Sequence, residues 1–307
     1  MTTPLRIVSL LPSATEIVAA LGLGDYLVGR SHECDFPATV TALPICTEPK
    51  FDPEGDSREI HGRVTDLLQS ALSVYRVKTE VLATLRPTHI ITQAQCEVCA
   101  VSLKDVEAAV AQFTDGQPQV ISLQPQTLAE VWQDLERVGQ ALGSDAAPVV
   151  QALKNRVDHC QRRVAAASQR PRVACIEWIE PLMAAGNWLP ELVSLAGGCS
   201  LFATPKQSSP WLSWEDLAQA DPEVIVFMPC GFDLARTQLE ATATLQQPRW
   251  QALGAVRAGR LYGTDGNAYF NRPGPRLVES LEILAEILHP AIAPSRHQGT
   301  GWQPLQP

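Results

Sequence analysis

The chain has 307 residues, of which 45% are hydrophobic and 19% are charged. This length has room for two domains of ordinary size, and a disordered chain is excluded because it would carry fewer apolar residues and more charge. Acidic side chains outnumber basic ones by 33 to 24, which gives a net charge of -9. Such a charge repels phosphate backbones and anionic membrane surfaces, so nucleic acid is not an expected partner.

Neither a membrane span nor an export signal is predicted. A transmembrane helix needs about 20 mostly apolar residues, and the longest uncharged stretches are shorter and interrupted by Gly, Ser and Pro. The first residues do not show the basic start, apolar run and small-residue cleavage site of a secretory signal. We therefore expect a cytoplasmic protein or, as the alternative, a mature periplasmic or other extracytoplasmic form. The 8 cysteines are too sparse for a disulfide scaffold and fit reduced thiols better.

Short apolar runs alternate with helical periodicity along the chain, which is typical of parallel strands joined by crossover helices. Residues 7–11 form a predicted buried strand. The spacing of Ser13 and Glu16 then predicts a capping box and a helix that ends near Gly22 or Gly24. The fold class predicted from this alternation is α/β.

Two further helices are predicted in mid-chain, one from Thr127 to Gly143 and one from Pro148 to about Ser168. The second would be roughly 30 Å long, which makes it a candidate strut between two halves. The last residues are rich in Pro, Gly and Gln and are expected to fray. The predicted organisation is an N-terminal α/β lobe (1–145), a connecting helix (146–170), a C-terminal α/β lobe (171–290) and a flexible tail (291–307).

The two halves also share a repeated pattern. Residues 80–91 and 215–226 both run from a glutamate through a helix and a proline into an apolar strand. Residues 16–22 and 191–197 both run from a glutamate to a glycine six positions later. Two matches in the same order predict a duplicated α/β lobe. Two similar lobes enclose one cleft, and such clefts bind small ligands.

Common nucleotide-binding and hydrolase motifs are not found. Gly22, Gly24 and Gly29 follow a predicted helix, whereas a dinucleotide fingerprint lies between a strand and the helix that follows it. The sequence also contains no Walker A motif and no nucleophile elbow. NAD, ATP and α/β-hydrolase interpretations are therefore not favoured.

Four sulfur and nitrogen donors follow two predicted strands. Cys96 and Cys99 come directly after one strand, and His32 and Cys34 come after another. Because ligands gather at the carboxyl edge of a parallel sheet, these four residues are expected to line a ligand site there, and they have the composition of a tetrahedral Zn site. Two alternatives stay open at this point: a Cys96–Cys99 redox pair and inert buried thiols.

Aromatic residues of the second half are the other signal. Core packing accounts for any single one, but several lie among turn-forming residues, where a flat organic ligand with polar edges would meet them. The aromatic residues that form this signal are Trp178, Trp188, Trp211, Trp214, Phe232, Tyr269 and Phe270.

Three segments resemble the cobalamin-binding proteins of ABC importers: Ile-Val-Ser-Leu-Leu-Pro-Ser-Ala-Thr-Glu at 7–16, Leu-Arg-Pro-Thr-His-Ile-Ile at 85–91, and Glu-Leu-Val-Ser-Leu-Ala-Gly-Gly at 191–198. The resemblance extends over about residues 5–290. It implies a substrate-binding protein of the helical-backbone class, with two α/β lobes bridged by one long helix.

Three other segments, at 31–37, 92–102 and 268–276, resemble a subgroup of that family whose members often begin without a signal peptide. Better-known members line the first-lobe pocket with a tryptophan shortly before the helix at Glu80. This chain has no such tryptophan, and Tyr75 is the nearest aromatic residue.

The resemblance implies binding without catalytic turnover: cobalamin or a related corrinoid is the expected ligand, with His32 or a thiolate as a candidate ligand of its cobalt. Glu80 and Glu215 match the positions at which family members present glutamates to arginines of the importer's membrane subunits. The expected ligand contacts are His32, Cys34, Tyr75, Cys96 and Cys99 in the first lobe, and Trp178, Trp188, Trp211, Phe232, Tyr269, Phe270 and Arg272 in the second.

Two rival interpretations remain. The first keeps the fold and changes the ligand to haem, another tetrapyrrole or a metal chelate. The second is a cytosolic metal- or thiol-dependent enzyme built on His32, Cys34, Cys96 and Cys99.

Overall fold

The computed structural model describes residues 4–70, 74–93, 103–111 and 117–306. The helices, in chain order, are α1 (Pro12–Ala20), α2 (Ser57–Gln69), α3 (Thr79–Leu85), α4 (Leu103–Val110), α5 (Leu128–Leu142), α6 (Ala147–Val164), α7 (Leu189–Leu195), α8 (Trp214–Ala220), α9 (Leu234–Leu245), α10 (Pro248–Gln251), α11 (Gly254–Arg257) and α12 (Leu277–Leu288). The strands are β1 (Ile7–Ser9), β2 (Leu27–Arg30), β3 (Thr47–Pro49), β4 (Tyr75–Val77), β5 (His89–Gln93), β6 (Gln119–Leu123), β7 (Arg172–Trp178), β8 (Met183–Ala184), β9 (Cys199–Ser200), β10 (Val224–Phe227), β11 (Leu261–Thr264) and β12 (Trp302–Pro304).

The chain divides into two compact units. The first unit consists of Met1–Gly55, Glu59–Pro125 and Ala129–Gln151. The second unit consists of Asp56–Arg58, Gln126–Leu128 and Ala152–Pro307. No helix among the described residues has the length and hydrophobicity to cross a membrane.

The first unit is built on a parallel sheet with the strand order β2-β1-β5-β6. The sequences of its strands are mostly apolar, because both faces of a parallel sheet are covered by other parts of the protein. Val8 and Ile90 from this sheet pack with Leu82 of α3 and Val106 of α4 in one buried cluster. A separate antiparallel pair, β3-β4, lies in the same unit.

The second unit repeats this sheet and extends it. Its parallel strands have the order β9-β7-β10-β11, and the antiparallel strands β8 and β12 pair with β7 and β11. Phe227 of β10 and Trp250 of α10 are fully buried in its core. The predicted fold class, two similar α/β lobes, is therefore confirmed.

The repeated helix-proline-strand segments have the same backbone geometry in both units. Helix α3 ends on Arg86 with φ 44° and ψ 58°, and α8 ends on Asp221 with φ 37° and ψ 72°. Each of these left-handed residues is followed by a proline, which disfavours the helical conformation in the residue before it. The chain then enters β5 or β10. The same local signals therefore terminate equivalent helices.

Glycines terminate the second pair of repeated helices. Gly22 and Gly197 have φ values of 74° and 82°, which a side chain would strain. The N–H of Leu23 donates to the carbonyl of Val18 at 3.0 Å, and the residue after Gly197 makes the equivalent bond at 2.9 Å. Both ends have the 6→1 bond of a Schellman motif.

Two local predictions differ from the structure. Helix α1 begins at Pro12, and no side chain caps it, so the capping box predicted at Ser13 and Glu16 is wrong. Proline fits the first helical turn because its missing N–H has no partner there in any helix. The mid-chain helix α6 spans Ala147–Val164, 18 residues, and so ends before the predicted Ser168.

The C-terminal segment contains a paired strand, whereas its composition predicted a frayed tail. Strand β12 pairs with β11, and Trp302 donates its indole N–H to the buried carboxylate of Glu286 at 2.7 Å. Glu286 also accepts a bond from the His297 N–H at 3.1 Å. One buried acceptor on α12 therefore holds a segment that is rich in turn-forming residues.

Candidate functional site

In the first unit, the loop after β2 is held in place by one buried arginine. The guanidinium of Arg30 donates to the carbonyls of Ser31 and Cys34, both at 3.0 Å, and to the carbonyl of Thr41 at 3.0 Å. Arg30 is 8% exposed, and such charge-assisted bonds are stronger than neutral ones. The loop carrying His32 is therefore fixed at the carboxyl end of a parallel strand, the edge at which α/β proteins bind ligands.

The imidazole of His32 is oriented by a buried hydroxyl group. Its Nδ1 lies 2.8 Å from Oγ1 of Thr47, and its backbone N–H donates to the same oxygen at 3.1 Å. The hydroxyl of Thr47 donates in turn to Oγ of Ser31 at 3.0 Å. The ring also lies beside Tyr75, with 5.3 Å between ring centroids. The side chain is half-buried and fixed on one side.

The surroundings of His32 disfavour its charged form. Burial, together with the positive charges of Lys78 and Arg30, lowers the pKa of His32 to about 4, against an opposing effect of Glu48. The imidazole is therefore uncharged at neutral pH, which is the form that binds metal ions.

Cys34, two residues further on, lies in the interior. It is 1% exposed, and the hydroxyl of Thr15 donates to its sulfur at 3.0 Å. Cys96 and Cys99 lie outside the described residues. Among the residues that are described, no group of three or more His, Cys, Asp or Glu side chains is placed to hold a metal ion. The Zn set of His32, Cys34, Cys96 and Cys99 stays a prediction.

Tyr75 is buried beside the loop that carries His32. It is 8% exposed, its hydroxyl donates to the carboxylate of Glu33 at 3.3 Å, and its ring lies 6.4 Å from that of Phe51. Little of its ring is accessible to a ligand, so its predicted contact role is less well supported than that of His32.

The second unit carries an open groove of about 370 Å³. Its tryptophan, Trp211, is 60% exposed, whereas most tryptophans bury their apolar rings. The Trp211 groove, as we call it, is lined by Phe202, Pro210, Trp211, Leu212, Asp216, Gln219 and Ala220.

Backbone pairing fixes the position of Trp211. The neighbouring residues Pro210 and Leu212 bond to the segment around β8, with Ala184 donating to Pro210 at 3.0 Å. Gly186 permits this approach, because a Cβ there would lie 2.6 Å from the backbone of the 207–209 segment. The backbone around Trp211 is therefore fixed by hydrogen bonds, while its indole ring is exposed.

Three of the predicted ligand-binding aromatics belong to the core of the second unit. Phe270 and Phe232 are 0% and 1% exposed, and Trp188 is 6% exposed with its indole N–H donating to the carbonyl of Phe270 at 3.0 Å. Their turn-rich surroundings suggested accessibility, but turn formers shape the backbone without deciding which way a side chain points. Core packing accounts for all three in this structure.

Trp178 and Tyr269 are half-buried. The ring of Trp178 lies edge-on to Phe232, 5.6 Å away, and the guanidinium of Arg276 lies 4.4 Å above the Tyr269 ring. Arg272 is 4% exposed. Its predicted contact with the polar edge of a ligand would therefore require its side chain to become accessible. The contact roles of Trp178 and Tyr269 stay predictions.

The two predicted docking glutamates lie at equivalent positions. Glu80 is exposed in the first turn of α3, and Glu215 is exposed in the first turn of α8. A carboxylate in a first helical turn is stabilised by the helix dipole, so the position alone does not establish docking.

Thr47 is the site residue that sequence reasoning missed. It is fully buried, and it reaches His32 only because residue 45, just before β3, pairs with Arg30 at the end of β2. A threonine in a short strand has no signal that marks this role.

Comparison with known proteins identifies the family. Residues 7–268 match the family model for periplasmic binding proteins, and the chain therefore belongs to that family. Substrate-binding proteins of ABC transporters are among its relatives. The substrate-binding lipoprotein YvrC of Bacillus subtilis is 24% identical, with 94% of this chain and 81% of that protein covered.

Two further comparisons concern metal tetrapyrroles. The vitamin B12-binding protein of Vibrio cholerae is 27% identical, with 92% of this chain and 88% of that protein covered. The crystal structure of a periplasmic haem-binding protein from Pseudomonas aeruginosa has a TM-score of 0.69 at 22% identity, covering 94% of each chain. The structural likeness establishes the fold.

Proposed function

We propose that this protein is the substrate-binding component of an ABC-type uptake system and that it binds a metal-centred tetrapyrrole. Cobalamin or a related corrinoid is the first candidate for this ligand. The observation that carries the proposal is the Trp211 groove, an open apolar surface headed by a tryptophan that is 60% exposed. The name of the Vibrio cholerae relative, a vitamin B12-binding protein, supports the choice of corrinoid.

The groove suits a flat ligand on energetic grounds. A tryptophan side chain buries about 150–250 Å² when fully covered, so covering the exposed part of Trp211 would stabilise a complex by about 2–4 kcal/mol. Asp216 and Gln219 add polar groups at the wall of the groove. Such a combination of apolar faces and a few polar groups is usual in ligand sites.

Haem is the second candidate. The Pseudomonas aeruginosa protein of the same fold is a haem-binding protein, which supports this candidate. Imidazole is a ligand of iron as well as of cobalt, so His32 is compatible with either ligand. The enzyme interpretation is less well supported, since the sulfur of Cys34 is buried and bonded to Thr15.

We further propose an extracytoplasmic location. The relatives are a substrate-binding lipoprotein and members of the periplasmic binding protein family, and they do not support the cytoplasmic location expected from the sequence. In that compartment Glu80 and Glu215, which are both exposed, would meet arginines of an importer's membrane subunits, as the family resemblance implies.

Ligand binding is tested by titration calorimetry with cobalamin, cobinamide and haem. Wild type is expected to bind at least one with Kd well below 100 μM, where the binding free energy is about -5.5 kcal/mol. Trp211→Ala is expected to weaken that binding, while Tyr26→Ala, which removes an exposed aromatic of the first unit, leaves it unchanged. No ligand binding tighter than 100 μM would show that the ligand class is wrong.

Docking is tested separately by capture of the cognate permease in detergent. Wild type is expected to capture it and the double variant Glu80→Ala/Glu215→Ala to fail. The double variant Glu107→Ala/Glu136→Ala changes the charge equally at other exposed helix positions and should capture it normally. Equal capture by all three proteins would remove docking from the proposal.

A further inference from the structure

The loop that joins β9 to α8 carries two aromatic side chains of the Trp211 groove. Phe202 lies at the start of this loop and Trp211 at its end, and both side chains line the groove. We call residues 202–211 the 202–211 loop. Its start is fixed by the N–H of Leu201, which donates to a carbonyl of β7 at 3.0 Å, and its end pairs with the segment around β8.

Phe202 has a left-handed backbone conformation, with φ 72°. This conformation is unfavourable for a residue that has a Cβ, and glycine is the usual residue there. Five residues other than glycine have a positive φ in the part of the chain that the structure describes. Two of them, Arg86 and Asp221, end helices before prolines. The other three belong to the 202–211 loop or to the segment bonded to it: Asn187, Phe202 and Lys206.

Hydrogen bonds to neighbouring segments hold the middle of the 202–211 loop. The N–H of Asn187 donates to the carbonyl of Gln207 at 2.6 Å. The hydroxyl of Ser209 accepts from the N–H of Gly186 at 3.1 Å and donates to the carboxylate of Glu177 at 2.8 Å. A bond to a carboxylate is charge-assisted and therefore stronger than a neutral one. The loop is thus preorganised, and little conformational entropy is lost when a ligand binds to it.

Core packing alone does not account for a phenylalanine at position 202. The ring of Phe202 is half-buried and packs against the core cluster of the second unit. An aliphatic side chain would cover the same part of the core, and glycine would avoid the unfavourable φ. Unfavourable backbone conformations are concentrated at functional sites, ligand-binding segments among them. The phenyl ring differs from an aliphatic side chain in giving the groove a second flat aromatic wall.

The size of the groove limits how much of a ligand it can hold. Its volume is about 370 Å³, near the lower end of the range of about 300–1,000 Å³ for ligand sites. A corrin or porphyrin with its side chains is larger than this. The groove can therefore hold one rim of such a macrocycle.

We propose that Phe202 contacts the ligand and forms, together with Trp211, two aromatic walls that hold one rim of the macrocycle. This inference rests on the proposed function. The walls bind by covering apolar surface and by offset or edge-on contacts with the π system of the ligand. Neither wall bonds to the central metal ion, so the contact depends on the flat macrocycle and is available to corrinoids and porphyrins alike.

The experiment is titration calorimetry of the full chain with cobinamide and ferric haem. Phe202→Leu and Phe202→Met keep an apolar side chain but remove the ring, and both are expected to bind about three- to tenfold more weakly than wild type. Phe202→Tyr keeps the ring and should bind within about twofold of wild type. Circular dichroism verifies that each variant is folded.

The matched control is Tyr262→Leu, which removes a half-buried aromatic ring of β11 whose centroid lies 5.6 Å from that of Trp302. It should bind as wild type does. Wild-type affinity in both Phe202→Leu and Phe202→Met would overturn the contact and leave the proposed function intact. An equal loss in Tyr262→Leu or in Phe202→Tyr would also overturn it, because the loss would then not depend on the ring at position 202. A wild-type protein that binds neither probe would overturn both the contact and the proposed function.

Discussion

The two units share a framework but differ at the carboxyl edges of their sheets. In both, a left-handed residue before a proline ends a helix, Arg86 in one and Asp221 in the other. The loop of the first unit presents one oriented donor, His32, whereas the second unit presents the exposed ring of Trp211. The helix ends and strands are thus similar in the two units, and the loops differ in the groups that the proposed function uses for binding.

The units also differ in how their sheets end. Strand β11 of the second unit is covered by the antiparallel strand β12, whereas its counterpart β6 pairs only with β5 among the described strands. The additional strand depends on a buried carboxylate, that of Glu286. This dependence makes the second unit sensitive to the loss of one carboxylate.

The largest expected effect follows from removing that carboxylate. Glu286→Ala leaves the indole N–H of Trp302 and the backbone N–H groups of Arg296 and His297 without their buried acceptor. We expect a loss of about 3–5 kcal/mol in the free energy of unfolding, together with fast hydrogen exchange in β12. Urea denaturation and hydrogen exchange measure both. Glu215→Ala, an exposed change in the same unit, is the control, and an equal midpoint for the two variants would contradict the role of Glu286.

A buried carboxyl of the first unit gives the next effect. Burial raises the pKa of Asp134 to about 6 despite its ion pair with Arg137, and one of its oxygens is buried without a hydrogen-bond partner. Because the folded pKa exceeds the unfolded value, the stability contributed by Asp134 is present below about pH 4 and is lost as the pH rises through 6. Asp134→Asn should therefore stabilise the protein by about 1–2 kcal/mol at pH 7.

At pH 3 the advantage of Asp134→Asn over wild type should largely disappear, because Asp134 is then mostly protonated in both the folded and the unfolded state. Thermal melts at the two pH values measure this difference. The control is Asp158→Asn, an exposed aspartate of α6, which should show no such pH dependence. A constant difference between wild type and Asp134→Asn would contradict the raised pKa.

The third prediction concerns the positioning of His32. Thr47→Val keeps the shape of the buried side chain but removes the hydroxyl that contacts Nδ1 of His32, so this hydrogen bond no longer orients the ring. Because His32 is a candidate ligand of the metal ion, we expect about tenfold weaker binding of ferric haem or aquacobinamide and a visible spectrum that differs from that of wild type. Thr65→Val on α2 is the control. Unchanged affinity and spectrum would show that Thr47 does not position the ring.

The smallest effect tests the equivalence of the repeated helix ends. Arg86→Gly relieves a left-handed conformation that costs a side chain about 1 kcal/mol, and we expect a stabilisation of about 0.5 kcal/mol after the entropic cost of glycine. Asp221→Gly gains the same relief but loses the bond from the Gly254 N–H to the Asp221 carboxylate at 2.6 Å. It should therefore not stabilise. Denaturant midpoints compare the two, and stabilisation by Asp221→Gly would contradict this account.

Local patterns in the sequence predicted the framework because short-range physics determines it. Periodicity indicated α6, and the end of α1 was predicted near Gly22 or Gly24, which agrees with the positive φ of Gly22 just after the helix. The start of α1 at Pro12 was missed because the Ser13–Glu16 spacing imitates a capping box. In these cases the residues that determine where a helix begins or ends lie within a few positions of that end.

The site was harder to predict because long-range packing decides which side chains are accessible. Trp188 and Trp211 both lie among turn formers, yet one is 6% exposed and the other 60%. Thr47 reaches His32 across two separate strands, and Glu286 holds a tail whose composition predicted fraying. None of these contacts leaves a local pattern.

The most direct test of the central claim is a fluorescence titration of wild type and Trp211→Phe with cobinamide and ferric haem. A metal tetrapyrrole on the Trp211 groove would quench the indole emission of wild type in a saturable 1:1 titration. Trp211→Phe should lose most of that quenching while keeping a folded circular dichroism spectrum. Quenching that does not saturate, or that is equal in both proteins, would contradict the proposal that the groove binds the ligand.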